Sequence, residues 1–151
     1  MVRIIDFDKK YISDFRRLNE EWLDSYNLME SHDREVLEDP IGLVIDRGGF
    51  IFLAEEDGKI VGTAGLMKEH EGEYELVKMG VSPAYRGKGI SKMLMEKCIG
   101  KARELGARRL FLFSNSRLKP AIALYAQYGF KHIPADDSPF LTADVKMEFR
   151  F

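Results

Sequence analysis

The feature that most narrows what this chain can build is Val81-Ser82-Pro83-Ala84-Tyr85-Arg86-Gly87-Lys88-Gly89-Ile90-Ser91, where an apolar run passes through a short turn into a glycine-rich loop that opens a long amphipathic stretch. A strand, loop and helix in that order make an anion site out of backbone. Gly87 and Gly89 carry no Cβ, so a phosphate can approach the main chain, and the first-turn amides of the helix point outward without a helical acceptor. Arg86 and Lys88 add positive charge. The spacing excludes two common phosphate loops. A Walker-type loop needs glycine five positions before its Gly-Lys pair and Ser or Thr after it, where this chain has Ser82 and Gly89. A dinucleotide fingerprint starting at Gly87 needs glycine where Lys92 stands.

What remains, Arg86-x-x-Gly89-x-Ser91 after a strand, resembles the pyrophosphate-binding signature of the GNAT N-acetyltransferases, Arg/Gln-x-x-Gly-x-Gly/Ala. Ser91 departs from the last position but is small enough to leave the backbone open. A second segment is similar to the same family's closing motif: Phe111-Leu112-Phe113-Ser114-Asn115, then Lys119-Pro120-Ala121-Ile122-Ala123-Leu124-Tyr125-Ala126-Gln127-Tyr128-Gly129-Phe130. It reads as a strand ending in Asn, followed by a helix with Ala-x-x-x-Tyr that ends in Tyr-Gly-Phe. Together the two motifs carry the resemblance from about residue 50 to 133.

Patterning supplies the remaining elements. Val2 to Phe7 reads as a strand, and Asp8 as the cap of a helix through Tyr26 whose Phe15, Leu18, Trp22 and Tyr26 form one core-facing stripe. A short helix over Arg34 to Glu38 stops before Pro40. Strands over 50–55 and 59–68 meet at Glu56-Asp57-Gly58, and a strand over 74–81 pairs back after Glu71-Gly72-Glu73. The helix from Gly87 to Leu105, closed by Gly106, precedes a strand over 108–114, the Tyr-bearing helix and strands over 130–133 and 144–149. This predicts an α+β fold with a mixed, mostly antiparallel sheet flanked by helices, a layout like that of the acetyltransferases. With 151 residues and no internal repeat or linker, a single domain over 1–151 is expected, burying roughly 70% of the unfolded surface.

The formal net charge of −2 argues against nucleic acid as a partner. Charges interrupt the first ten residues before any signal-length apolar run, and no later stretch approaches a membrane span, so a cytoplasmic protein with no membrane contact is expected. Cys98 falls at helical spacing with Ile90, Met93, Leu94, Ala102 and Leu105, which predicts a buried thiol and not a nucleophile.

The resemblance implies acetyl-CoA as co-substrate, no metal, and direct transfer of the acetyl group to a primary amine of a small molecule or peptide in a ternary complex. It also implies the site. The backbone of Met79 and Val81 would bond the pantetheine arm beside a bulge expected near Met79-Gly80. The loop Arg86, Gly87, Lys88, Gly89, Ile90 and Ser91 would hold the pyrophosphate, and Asn115 would meet the pantetheine or adenosine side. The amide of Met79 or Gly80 would hold the oxyanion. Glu75 occupies the position of a glutamate base, with His70, Glu71 and Glu73 as rivals and a solvated strand face as the plain alternative. Tyr125 occupies the position of the acid that protonates the leaving thiolate; Tyr128 reads as a core aromatic. Dimers are frequent in the family, although no segment here defines a homodimer interface. Acids from Glu20 to Asp39 read either as a solvated helix face or as a groove for a cationic amine, and 134–142 as a lid or a surface loop. Two other readings stay open: an acyl-CoA-binding sensor without turnover, and a generic phosphate-binding domain.

Overall fold

The computed structural model describes residues 1–151. Strand β1 (Val2–Asp6) leads to a 3-10 turn over Lys9–Tyr11 and then α1 (Ile12–Ser25). Asp8 does cap, but it caps that 3-10 turn by accepting from the Lys10 amide at 3.0 Å, so the helix proper starts three residues later than expected. Helix α2 (Ser31–Glu38) also differs from the expected 34–38. A capping box adds its first turn: Glu30 takes the cap position, and the Asp33 carboxylate accepts from the Glu30 amide. Pro40 lies outside α2 and opens a π-type turn over Ile41–Ile45.

Strands β2 (Phe50–Glu56), β3 (Lys59–His70) and β4 (Glu73–Val81) form the antiparallel meander. Asp57 and Gly58, with φ of 51° and 79°, make the two-residue turn that matches the right-handed strand twist. Helix α3 (Ile90–Glu104) comes next, then β5 (Arg109–Ser114), α4 (Lys119–Gln127), β6 (Lys131–Ile133) and β7 (Val145–Arg150). Gly106, at φ 72°, ends α3 as expected. The seven strands form one mixed sheet in the order β1-β2-β3-β4-β5-β7-β6, in which only β4 and β5 run parallel.

Alternation along the strands gives the sheet two apolar faces. One packs on α3 and α4 around Leu66, Leu76, Leu94, Met95, Leu110 and Leu112; the other packs on α1 and α2 around Phe15, Leu18, Val36, Leu37 and Leu53. Cys98 is fully buried in the first, where burial pushes its thiol up to about 12, so it stays protonated at neutral pH. No helix is long and apolar enough to cross a membrane.

Two irregularities interrupt the middle of the sheet. The β4–β5 pairing covers only Glu73 to Glu75 against Arg109 to Phe111; beyond it the strands part, and the facing edge of β4 loses its partner. The bulge on β4 is the second. The register shifts between Thr63 and Gly65 of β3, which face Gly80 and Val77. The bulge takes in Lys78 and Met79, near the expected Met79-Gly80, and the residue carrying the strain is Lys78, at φ 53°. Gly80 has another reason to be glycine: a Cβ there would stand 2.7 Å from Cδ1 of Trp22, whose indole lies against its backbone.

Candidate active site

The fork between β4 and β5 opens into a cleft of about 500 Å³. It is lined by β4 from Glu75 to Val81, the loop into α3, the ends of α1 and β5, the inner face of α4, and the segment before β7. Met79, Val81, Arg86, Gly87, Gly89, Ile90, Ser91, Asn115, Glu75 and Tyr125 all reach it. Lys88 does not; its ammonium sits 5.0 Å from the centre of the Tyr85 ring. Lys92, one turn into α3, supplies the second cation of this end and escaped the motif because the signature stops at Ser91.

At the mouth, α3 begins at Ile90 and not at Gly87, because Gly87 and Gly89 adopt φ of 78° and 79°. Left-handed backbone turns the loop back across the helix start, a conformation that side chains with a Cβ adopt only under strain. The surrounding space is open at both positions, so the φ values and not crowding select glycine. The amides of Ile90, Ser91 and Lys92 bond to no backbone carbonyl. Beside Arg86 and Lys92 they concentrate hydrogen-bond donors and positive charge at one point of the cleft, the chemistry that suits an anion.

Deeper in the fork, Glu75 pairs across the sheet with Met67 and Phe111, which places it on the α1/α2 face. It makes no ion pair within 4 Å. Burial pushes its carboxyl up to about 7, with nearby Lys78 acting against the shift and Glu69 with it. Tyr125 comes from the opposite side, on α4. Burial raises its phenol to about 12, which keeps it protonated. Its hydroxyl has no protein partner, and every fully buried side-chain N or O in the structure has one, so the hydroxyl opens into the cleft it lines. Tyr128, expected in the core, is only partly buried and donates from its hydroxyl to Glu96 at 3.0 Å near the surface.

The wall on the α1/α2 side corrects the expected core stripe. Phe15 and Leu18 are buried and Trp22 packs beside them, but Trp22 also lines the cleft and Tyr26 lies there away from the core. A buried polar chain sets this wall. Trp22 Nε1 donates to Asn19 Oδ1, Asn19 Nδ2 to Thr63 Oγ1, and Thr63 Oγ1 to the Lys78 carbonyl at 2.8 Å. Lys78 Nζ in turn donates to Asp33. The bulge is what allows this: Val77 and Lys78 both fall on the α1/α2 face, where strict alternation would have sent Lys78 towards α3.

The segment after β6 is tied down over the same end. The Glu30 carboxylate accepts from the Leu141 and Thr142 amides at 3.0 and 3.1 Å and from the Thr142 hydroxyl. Desolvation alone would raise that carboxyl; these bonds outweigh it and leave it below its ordinary range. Asn115 Nδ2 donates to the Thr142 carbonyl at 2.6 Å and its Oδ1 accepts from the Arg117 amide, so its amide group anchors this segment from within the cleft lining.

A mixed sheet forked between two parallel strands, with a helix start at the mouth and ionisable groups on both sides, defines the acyl-CoA N-acyltransferase class of fold. The chain belongs to the GNAT acetyltransferase family: residues 14–130 match the profile of "Acetyltransferase (GNAT) family". It is 40% identical over 89 residues to the uncharacterized N-acetyltransferase YjgM of Escherichia coli K12, covering 57% of this chain and 53% of that protein. The chain thus spans about half the length of that relative. Among solved structures, an acetyltransferase of the GNAT family from Staphylococcus aureus Mu50 superposes with a TM-score of 0.91 at 23% identity over 99% of each chain. The PaiA N-acetyltransferase of Thermoplasma acidophilum, solved in complex with coenzyme A, gives 0.82 at 18% identity over 100% of this chain and 99% of that one.

Proposed function

We propose that the chain is an acetyl-CoA-dependent N-acetyltransferase that passes the acetyl group directly to a primary amine in a ternary complex. The observation that carries this reading is one cleft with free helix-start amides at its mouth and Glu75 and Tyr125 on its two sides. The pocket fits the co-substrate: amides and two cations suit a pyrophosphate, and the unpaired edge of β4 around Met79 and Val81 offers alternating donors and acceptors to an extended, amide-bearing arm. Acetyl-CoA supplies the thioester. The chain's own residues hold it, polarise its carbonyl and move protons.

An alkylamine with a reference pKa of about 10.4 arrives protonated at neutral pH. Glu75, poised near 7, is half-ionised there; it passes the ammonium's first proton to solvent, freeing the lone pair, and then takes the second from the nitrogen as it attacks, directly or through water. As the new C–N bond forms, the carbonyl oxygen leans on an amide of the bulged segment at Met79 or Gly80. The C–S bond then breaks, and Tyr125 gives its proton to the departing sulfur and regains one from Glu75 through solvent. Amide and free thiol are the products.

Parallel calorimetric titrations with acetyl-CoA, CoA and ATP, followed by a thiol-release assay over an amine panel, test the reading. Preferential binding of acetyl-CoA with thiol release is expected. Binding without release would make the chain a sensor, and no preference over ATP would make it a generic phosphate binder. Arg86→Glu should weaken CoA binding about tenfold or more, since it sets like charge beside the pyrophosphate; unchanged affinity would take the loop out of the site. The profile of kcat/KM against pH should rise through a limb near 7 as Glu75 loses its proton, beneath the steady gain from amine deprotonation. Glu75→Gln should abolish that limb; its persistence would move the base elsewhere.

A further inference from the structure

We propose that the amine acceptor of this protein carries an apolar body and a single cationic group, the reacting ammonium itself; the proposal rests on the acetyl-transfer reading above. The sequence leaves a polycation open, because eight acids lie between Glu20 and Asp39. The fold turns them away. Of the eight, Asp33 alone lines the cleft, and Glu21, Asp24, Glu35, Glu38 and Asp39 are exposed. Asp33 is already neutralised by Lys78, with both side chains under a tenth exposed.

What faces the acceptor instead is apolar. Trp22, Leu23, Tyr26 and Leu28 come from α1 and its exit, Phe113 from the end of β5, and Phe140 from the segment that Glu30 and Asn115 pin down. Phe140 packs edge-on to Phe113 at 6.2 Å and to His32 at 5.3 Å, closing the far side with rings. A carboxylate on the acceptor would find no free partner either. Lys78 is held by Asp33, and Lys146, on the same face, is held by Asp137 at 2.7 Å. The unpaired cations of the lining, Arg86 and Lys92, lie at the glycine loop. Glu75 is thus the one charge at this end without a partner, enough for one ammonium. A second charge would be desolvated without compensation.

Three amines that share a chain and a reacting group isolate the point: 1-aminohexane, 1,6-diaminohexane and 6-aminohexanoate, compared by kcat/KM for thiol release from acetyl-CoA. The first should exceed each of the others about tenfold or more. Equal or better turnover of the diamine or the amino acid would overturn the proposal. So would release with none of the three by a protein that still binds acetyl-CoA, an outcome that spares the cofactor half of the underlying reading. Failure to bind acetyl-CoA would overturn that reading and the proposal with it. Phe140→Asp, on a surface segment, gives a second test: it should shift the preference towards the diamine about tenfold. An unmoved ratio would count against the proposed wall.

Discussion

Replacing Tyr125 by phenylalanine is expected to cut turnover about a hundredfold while leaving CoA affinity and stability unchanged. The change deletes one hydroxyl and keeps the ring, which packs against Phe130 with centroids 6.0 Å apart. No protein hydrogen bond is lost, because that hydroxyl faces the cleft without a partner. A core tyrosine would behave differently. If Tyr125 served only as packing, Phe would leave turnover alone; if it organised the CoA groove, affinity and turnover would fall together. Single-turnover thiol release, titration of CoA and urea unfolding on the same preparation separate the three outcomes. Phenylalanine with full turnover would remove Tyr125 from the chemistry.

Lys78→Met should be the most destabilising single change at the site, costing about 3–5 kcal/mol, because it strands the Asp33 carboxylate in a desolvated position. Both side chains of this pair are buried, at 7% and 6% exposure, so solvent cannot take over the lost partner. The loss should appear as a lower urea midpoint at neutral pH with the denaturant slope unchanged. Adding Asp33→Asn should recover most of it, since the neutral amide oxygen still accepts from the Glu30 amide and no charge is left orphaned. Equal destabilisation in the single and double variants would mean that the bulge conformation, and not the ion pair, holds β4. Lys78→Gly distinguishes these causes directly, as it relaxes the positive φ while removing the ammonium.

How much of this was written in the sequence differs from element to element. The hairpin at Asp57-Gly58, the stop at Gly106, the buried Cys98 and the order of strands and helices were legible, because each depends on local backbone chemistry or on the period of apolar residues. The glycine loop was legible as a turn into a helix start, although its glycines serve left-handed backbone ahead of the helix and not its first turn. Tyr26 was misplaced, and Trp22, which packs on the core, also lines the cleft, for a definite reason: helical spacing assigns a face to a helix, but it cannot tell a face that meets a core from one that meets a cavity.

The local sequence therefore determined the family, the strand-loop-helix that can face an anion, and the two motifs that carry Tyr125 and Arg86. Tertiary structure alone decided the rest. The fork between β4 and β5 arises because pairing stops at Glu75 and Phe111, and no residue announces where a ladder ends. The bulge fell on a lysine, which no propensity favours, because Thr63 binds its carbonyl and Asp33 its ammonium from segments 15 and 45 residues away. The acids of the first helices looked like a cationic groove until folding turned most of them to solvent, bonded Glu30 to the segment before β7 and paired the one that faces inward. In each case the deciding contact joins residues distant in sequence, and its energy depends on burial that exists only once the chain has closed around it.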